Sequence, residues 1–354
     1  MRFGIRFNSD SGSIKDVVKW AQLAESLGFD DFWYCQDLMK RDAWVTLTAV
    51  AAATKRIRVG TCIVNPFTAS PAEIAMHASS LQEFSEGRFV LGIGPGDPPY
   101  QDWVGLKQAQ PRQGLAEAVQ ILRMLFAGEE VNFEGSVFKW HRARLRMPIP
   151  SQPIPIYIGG QGPRVLELMG EMGDGGLPIV FPPETIDFVH ERIEFGQQKF
   201  KINAKRAELK KDAFAPSFSS FSSSPLSFRS FDLAACVWWS VAETREQAED
   251  ALRYLIAYYG PSLREETLSP IGLTPSDFDG IRVAWQMGDM KQAMELLTPQ
   301  MFRLAIYGSP NEMIEKVRWL QDKGVTQINI GPPLGPDKER ALRLTAEQVI
   351  AAFR

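Results

Sequence analysis

The 354-residue sequence predicts an α/β fold, a (β/α)₈ or TIM barrel with insertions at its mouth. Strand-like and helix-like segments alternate from the first residue and make eight strand–helix pairs in order. No dinucleotide-binding glycine fingerprint accompanies them, which favours the barrel over a doubly wound sheet. The length fits as well, because α/β barrels often run this long as one unit, so residues 1–354 are expected to form a single domain.

The pairs follow one another closely. Residues 2–7 read as a strand, and 14–27 carry Ile14, Val17, Val18, Ala21, Leu23, Ala24 and Leu27 at helical spacing, with Gly28 as a C-cap signal. Residues 31–35 and 43–54 give the second pair. Residues 57–64 are β-rich and precede a helix over 71–84 with Pro71 in its first turn. The remaining strands and helices are 89–93 with 113–126, 154–158 with 163–172, 176–181 with 185–200, 231–241 with a helix from Thr244, and 325–330 with 338–353. Extra helices are expected between Tyr259 and Tyr307.

Two segments break the rhythm. Residues 129–150 are rich in aromatics and prolines, with a turn at Glu134-Gly135, and predict a small hairpin over the mouth. Residues 211–230 form a Ser/Phe-rich insertion (AFAPSFSSFSSSPLSFRS at its core) whose composition opposes regular structure and predicts a mobile loop. Its four phenylalanines alternatively pack on a partner subunit or cover the active site.

Composition narrows the function classes. With 45% hydrophobic residues, 23% charged and a net charge of −3, the chain is an ordinary globular one, and nothing favours nucleic acid or an anionic membrane. The N-terminus lacks the apolar run of a signal peptide, and the most apolar stretch, near Leu233 to Ala242, is too short to span a bilayer. Cys35, Cys62 and Cys236 are an odd, sparse set, which predicts free thiols and a cytoplasmic protein. His77, His141 and His190 show no ligand spacing, so no metal is expected.

In a barrel the chemistry lies where strands end. Asn65-Pro66 closes the third strand with an extended turn. After the fourth strand come Gly94, Pro95, Gly96 and Asp97. These glycines permit close backbone approach to a ligand, and Asp97 then projects into the mouth or caps a helix. Gly159, Gly160 and Gly162 lead into a helix that starts at Pro163, where free backbone N–H groups suit a phosphate.

The stretch VGTCIVNPFTASPAEIAMHASSLQEFSEGRFVLGIGPGD resembles the luciferase-like flavin/deazaflavin oxidoreductases. Within them it is most similar to the methylenetetrahydromethanopterin reductases, which use the deazaflavin coenzyme F420. The resemblance continues in DDFWYCQD, RDAWVTLTAVAAATKRIRVG, PIYIGGQGPRVLELMGEMGDG and YGSPNEMIEKVRWLQDKGVTQINIGPPLGPDKERALRL, and spans nearly the whole chain outside residues 205–230. It implies hydride transfer with coenzyme F420 on a small-molecule substrate, FMN-dependent monooxygenation being the alternative and a non-catalytic ligand-binding barrel a third. A homodimer or homotetramer is the expected assembly. The resemblance further implies a non-prolyl cis peptide at Cys62-Ile63 and coenzyme contact at Asn65. It makes Asp97 an acid, and Gly159 and Gly160 a phosphate loop. Gln36, Gly94, Pro95, Gly96 and Gly162 complete the expected coenzyme site. The cations Lys40, Arg41 and Lys107 fall near the coenzyme's acidic tail. Two positions depart from the pattern: Gln36-Asp37 stands where relatives commonly read Asp-His, and Arg6 reverses the charge of an acidic residue at the first strand's end. Both fall where substrate is expected, so Arg6 and Asp37 join Asp97 as expected catalytic residues, and the change bears on substrate more than on coenzyme. Cys35 and Cys236 have no role in this picture and are expected as small core residues.

Overall fold

The computed structural model describes residues 1–96, 98–106, 110–180, 182–209 and 231–354. The 211–230 insertion, Asp97 and Lys107 therefore lie outside the described residues.

The strands are β1 (Arg2–Phe7), β2 (Asp31–Tyr34), β3 (Arg58–Thr61), β4 (Phe89–Ile93), β5 (Val131–Glu134), β6 (Lys139–Ala143), β7 (Ile156–Gly160), β8 (Gly175–Pro178), β9 (Asp232–Val241), β10 (Ile306–Gly308) and β11 (Gln327–Leu334). Among the described residues, eight parallel strands run in the order β11-β1-β2-β3-β4-β7-β8-β9, and β9 pairs back on β11 to close the barrel. The eight expected strands are these eight. The ladder of β3 ends sooner than the β-rich run 57–64: after Thr61 it resumes only as a bridge from Val64 to Ile93, and the Cys62–Ile63 peptide between them is cis, as the resemblance implied.

The outer helices that bear on the site are α1 (Ile14–Ser26), α2 (Ala43–Ala53), α3 (Pro71–Phe84), α4 (Pro98–Trp103), α5 (Pro111–Phe126), α6 (Pro163–Met172) and α7 (Ile186–Leu209). Their starts are set by side-chain caps. Ser13 with Asp16, and Ser70 with Glu73, form capping boxes on α1 and α3. Each such cap stabilises a helix by about 1 kcal/mol. α1 then buries Val17, Ala21 and Ala24 against the barrel.

Strand alternation sorts side chains into two cores. Phe3, Ile5 and Phe7 face outward into the large cluster shared with the helices. Trp33, Val90, Tyr157, Leu177, Ala234 and Cys236 fill the barrel interior, with Cys62 and Ile63 packed on them. A third cluster joins Trp238 to the helices of residues 245–304, the extra helices expected there, and to Tyr307.

Two elements stand outside the eight strand–helix pairs. The hairpin β5–β6 forms and packs along α5, its Val137 beside Gly114 in the first turn of that helix, where Phe67 of the loop after β3 also lies. Glu117 of α5 accepts the backbone N–H groups of Ser136, Val137 and Phe138 at 2.8, 2.9 and 3.0 Å, which fixes the turn to that helix. The short strand β10 was not foreseen. It pairs with the end of β9, outside the closed barrel.

The N-terminal end of the barrel is plugged by charge. Asp31, 1% exposed, pairs with Arg2 and accepts from Arg58 Nε at 2.6 Å and Gln327 Nε2 at 2.7 Å. Arg2 also reaches Asp232 at 2.8 Å. This end of a barrel supports stability and leaves the opposite face for chemistry.

Candidate active site

At the opposite end the strands open into the mouth, whose side chains and loops are held by few, well-defined bonds. The loops after β1 and β2 are tied to each other. Ser9 donates from its hydroxyl and from its backbone N–H (3.3 Å) to the Asp37 carboxylate. Lys40 pairs with Asp10 at 2.9 Å, and Arg41 donates to the Ser9 carbonyl at 3.4 Å. Gln36 is occupied elsewhere: its Oε1 accepts from Ala43 N at 2.6 Å and its Nε2 donates to Asp42 at 3.3 Å, so it holds the start of α2. Of the residues expected to contact ligand, Gln36 and Asp37 thus act first as loop fasteners.

The loops after β3, β4 and β7 converge. Asn65, 7% exposed, donates from Nδ2 to the Pro95 carbonyl at 2.8 Å and accepts from Phe67 N at 2.8 Å. Gln101 of α4 donates to the same carbonyl at 2.8 Å. Pro95 is therefore fixed from two sides, and Gly96 turns the chain with φ of 76°. Asn65 spends its acceptor and one donor hydrogen on this framework, so its main effect is on the shape of the Gly94-Pro95-Gly96 loop. Ile63 packs in the space that Gly159 leaves open: a Cβ there would lie 2.5 Å from Ile63 Cγ2. Close packing inside the chain thus already requires Gly159, apart from any ligand.

Gly160 has φ of 150°, a region that disfavours other residues, and it aims the chain into α6. Gly162 is the N-cap of α6 and has no side-chain cap, with Pro163 following. The first turn of α6 consequently presents backbone N–H groups that no side chain satisfies, the arrangement a phosphate needs.

Arg6 lies at the floor of the mouth. Gly4 and Arg6 face the interior because the intervening residues of β1 face the helices. Arg6 is 9% exposed, and its Nε has no hydrogen-bond partner. Around it stand Cys236, Cys62 and Cys35. Cys236 is the small core residue expected, at 1% exposed. The meeting of all three thiols on Arg6 was missed. The usable signal was registration: Cys35 and Cys62 each directly follow a strand of the barrel, at neighbouring positions of adjacent strands.

A parallel eight-stranded barrel with a bulge after β3 and an uncapped helix after β7 defines the class. The chain belongs to the luciferase-like monooxygenase family, whose model matches residues 1–327. It is 32% identical over 359 residues to the 5,10-methylenetetrahydromethanopterin reductase of Archaeoglobus fulgidus, covering 100% of both chains. It is 31% identical over 352 residues to the enzyme of that name from Methanolobus tindarius, covering 99% of this chain and 100% of the relative. The coenzyme F420-dependent tetrahydromethanopterin reductase structure from Methanopyrus kandleri superposes with a TM-score of 0.86 at 26% identity, covering 100% of this chain and 99% of that one.

Proposed function

We propose that this chain is an oxidoreductase that moves a hydride to or from the deazaflavin coenzyme F420. The uncapped N-terminus of α6, joined by Gly159 and Gly160 to the bulge at Cys62-Ile63, carries the reading. The full-length reductase relatives support the choice of coenzyme. When bound, the deazaflavin supplies the hydride chemistry at its ring. The chain's own residues supply position and charge. The backbone at Gly160 and Gly162 and the first turn of α6 would hold the coenzyme's phosphate, and Cys62 and Ile63 would back its ring. Asn65 and Gln101 keep the Pro95 loop in place, and Asp97 serves as the acid. Among the described residues no helix is long and apolar enough to cross a membrane. A cytoplasmic homodimer or homotetramer fits the three free thiols and the apolar side chains of Val45, Met76 and Phe84 exposed on α2 and α3.

Titration with coenzyme F420 and with FMN, at low and high salt, tests the coenzyme. F420 is expected to bind more tightly, and more weakly as salt rises, because the attraction of Arg41 for the coenzyme's acidic tail is screened over about 10 Å at 0.1 M. The same titration with Gly162→Val tests the phosphate position. No atom lies within 4 Å of a Cβ placed at Gly162 and its φ is −70°, so the fold tolerates the side chain while the helix N-terminus is covered. A loss of at least about tenfold in F420 affinity is expected. Tighter FMN binding with oxygen-dependent turnover would move the chain to monooxygenation, and a Gly162→Val affinity within about twofold would remove this loop from the site.

The acceptor is anionic or carbonyl-bearing. Arg6 favours this, as a buried cation at the floor with an unpartnered Nε. Turnover of reduced coenzyme should be faster with such acceptors than with methylenetetrahydromethanopterin, and efficient use of the pterin would refute the assignment.

A further inference from the structure

A cavity of about 230 Å³ is lined by Glu184 of the loop after β8, Tyr307 of β10, Arg245, Arg303, and Lys316 and Trp319 of the helix Pro310–Asp322. None of Arg6, Asn65, Pro95, Gly160 or Gly162 lines it, so it is separate from the coenzyme loops. Sites for drug-sized ligands run to roughly 300–1,000 Å³. This one is smaller and suits a single ring, not a tricyclic coenzyme.

Two of its three cations are already answered. Arg303 donates from Nε and Nη2 to Glu184 Oε1 at 3.2 and 2.7 Å. Arg245 donates to Glu312 Oε1 at 2.9 Å and to the Tyr307 hydroxyl at 3.0 Å. The other Glu312 oxygen caps its own helix, accepting from the Ser309 N–H at 2.8 Å and the Ser309 hydroxyl at 2.9 Å. The Tyr307 hydroxyl donates to Glu249 at 3.2 Å, and Glu249 faces Arg253 at 3.9 Å. Lys316 differs. It is half-buried, and its ammonium donates to the Tyr307 carbonyl at 3.1 Å. Among the described residues no carboxylate pairs with it, since Glu312 and Glu184 serve the two arginines. An ammonium has three donors, and the carbonyl takes only one. Burial and the charge of Arg245 hold the Lys316 ammonium below its ordinary range, as befits a cation short of an anion.

We propose that this cavity binds a small monocarboxylate with a flat apolar body, its carboxylate on Lys316 and its ring against the walls of Pro183, Ile306 and Trp319. The charge count sets the class. Arg245, Arg303 and Lys316 stand against Glu184 and Glu312, which leaves one positive charge for one negative charge to answer. A dianion would meet the Glu184 carboxylate in excess. The cations are also in place beforehand. Arg245 lies 4.5 Å and Lys316 4.9 Å from the centre of the Tyr307 ring, within cation–π range. Little ordering of the site is then left for the ligand to impose.

Fluorine NMR titration of the full chain with para-fluorobenzoate, without coenzyme, tests the site. Saturable binding is expected, and the neutral isostere para-fluorobenzamide should bind at least about tenfold more weakly, which needs no variant at all. Lys316→Met should weaken the carboxylate by at least about tenfold. Glu184→Gln should tighten it by about threefold, because it removes a half-exposed carboxylate from the wall and frees Arg303. Misfolding does not produce that gain. Gly162→Val should leave the binding unchanged, which separates this site from the phosphate position at α6. No saturable binding, equal binding of the amide, an unchanged affinity in a folded Lys316→Met, an unchanged or weaker one in Glu184→Gln, or loss in Gly162→Val would each overturn the proposal.

Discussion

Asp31→Ala is expected to lower the stability of the fold by about 3–5 kcal/mol, the range for breaking a buried ion pair from one side. The carboxylate is 1% exposed and holds Arg2, Arg58 and Gln327 together at the closed end of the barrel. Its loss strands the Gln327 amide, which is fully buried, and a stranded donor costs about 1–3 kcal/mol. The two arginines fare better. Their side chains are 32% and 28% exposed, and Asp232 remains within reach of both. That places the expected loss nearer the lower bound. Urea unfolding should show a lower midpoint at unchanged slope. A variant within about 1 kcal/mol of the parent would mean that the plug is held by Asp232 alone.

Asp97→Asn is expected to slow hydride transfer in a single turnover by about 10²–10⁴-fold, the usual contribution of a positioned general acid. Asparagine preserves volume and cannot give up a proton. The Gly94-Pro95-Gly96 loop that leads to position 97 is fixed through the Pro95 carbonyl by Asn65 and Gln101, bonds the substitution leaves intact. Coenzyme affinity should therefore stay near that of the parent while the rate falls. An unchanged transfer rate would strip Asp97 of the role, and equal losses in rate and affinity would reassign it to binding.

Much of the barrel was legible because its strands are apolar runs and its helices carry capping residues and helical spacing. Helices 71–84 and 163–172 and strand 89–93 were read to the residue, each marked by a proline start or by flanking glycine and charge. β10 was not legible, since three residues carry no periodicity. The hairpin was readable as a hairpin, but its place along α5 depends on Glu117, which looks like any helix-surface glutamate. The plug was hidden for a related reason: Arg2, Asp31, Arg58 and Asp232 open or begin their strands, where charges usually mark a solvated end. At the mouth the glycines were visible and their reasons were not. Gly159 is required by Ile63, nearly a hundred residues earlier, and Arg6 meets thiols on or just after three other strands, a convergence that only closure of the sheet creates.

The ties between the first two mouth loops bear on how fast anything can enter. Ser9, Asp10, Gln36, Asp37, Lys40 and Arg41 bond to one another or to the start of α2 without ligand. That side of the entrance has little backbone freedom left to surrender on association. Encounter then resembles docking onto a rigid wall. The on-rate should follow diffusion and charge more than loop ordering, and the heat-capacity change on binding should scale with the apolar ring area covered there.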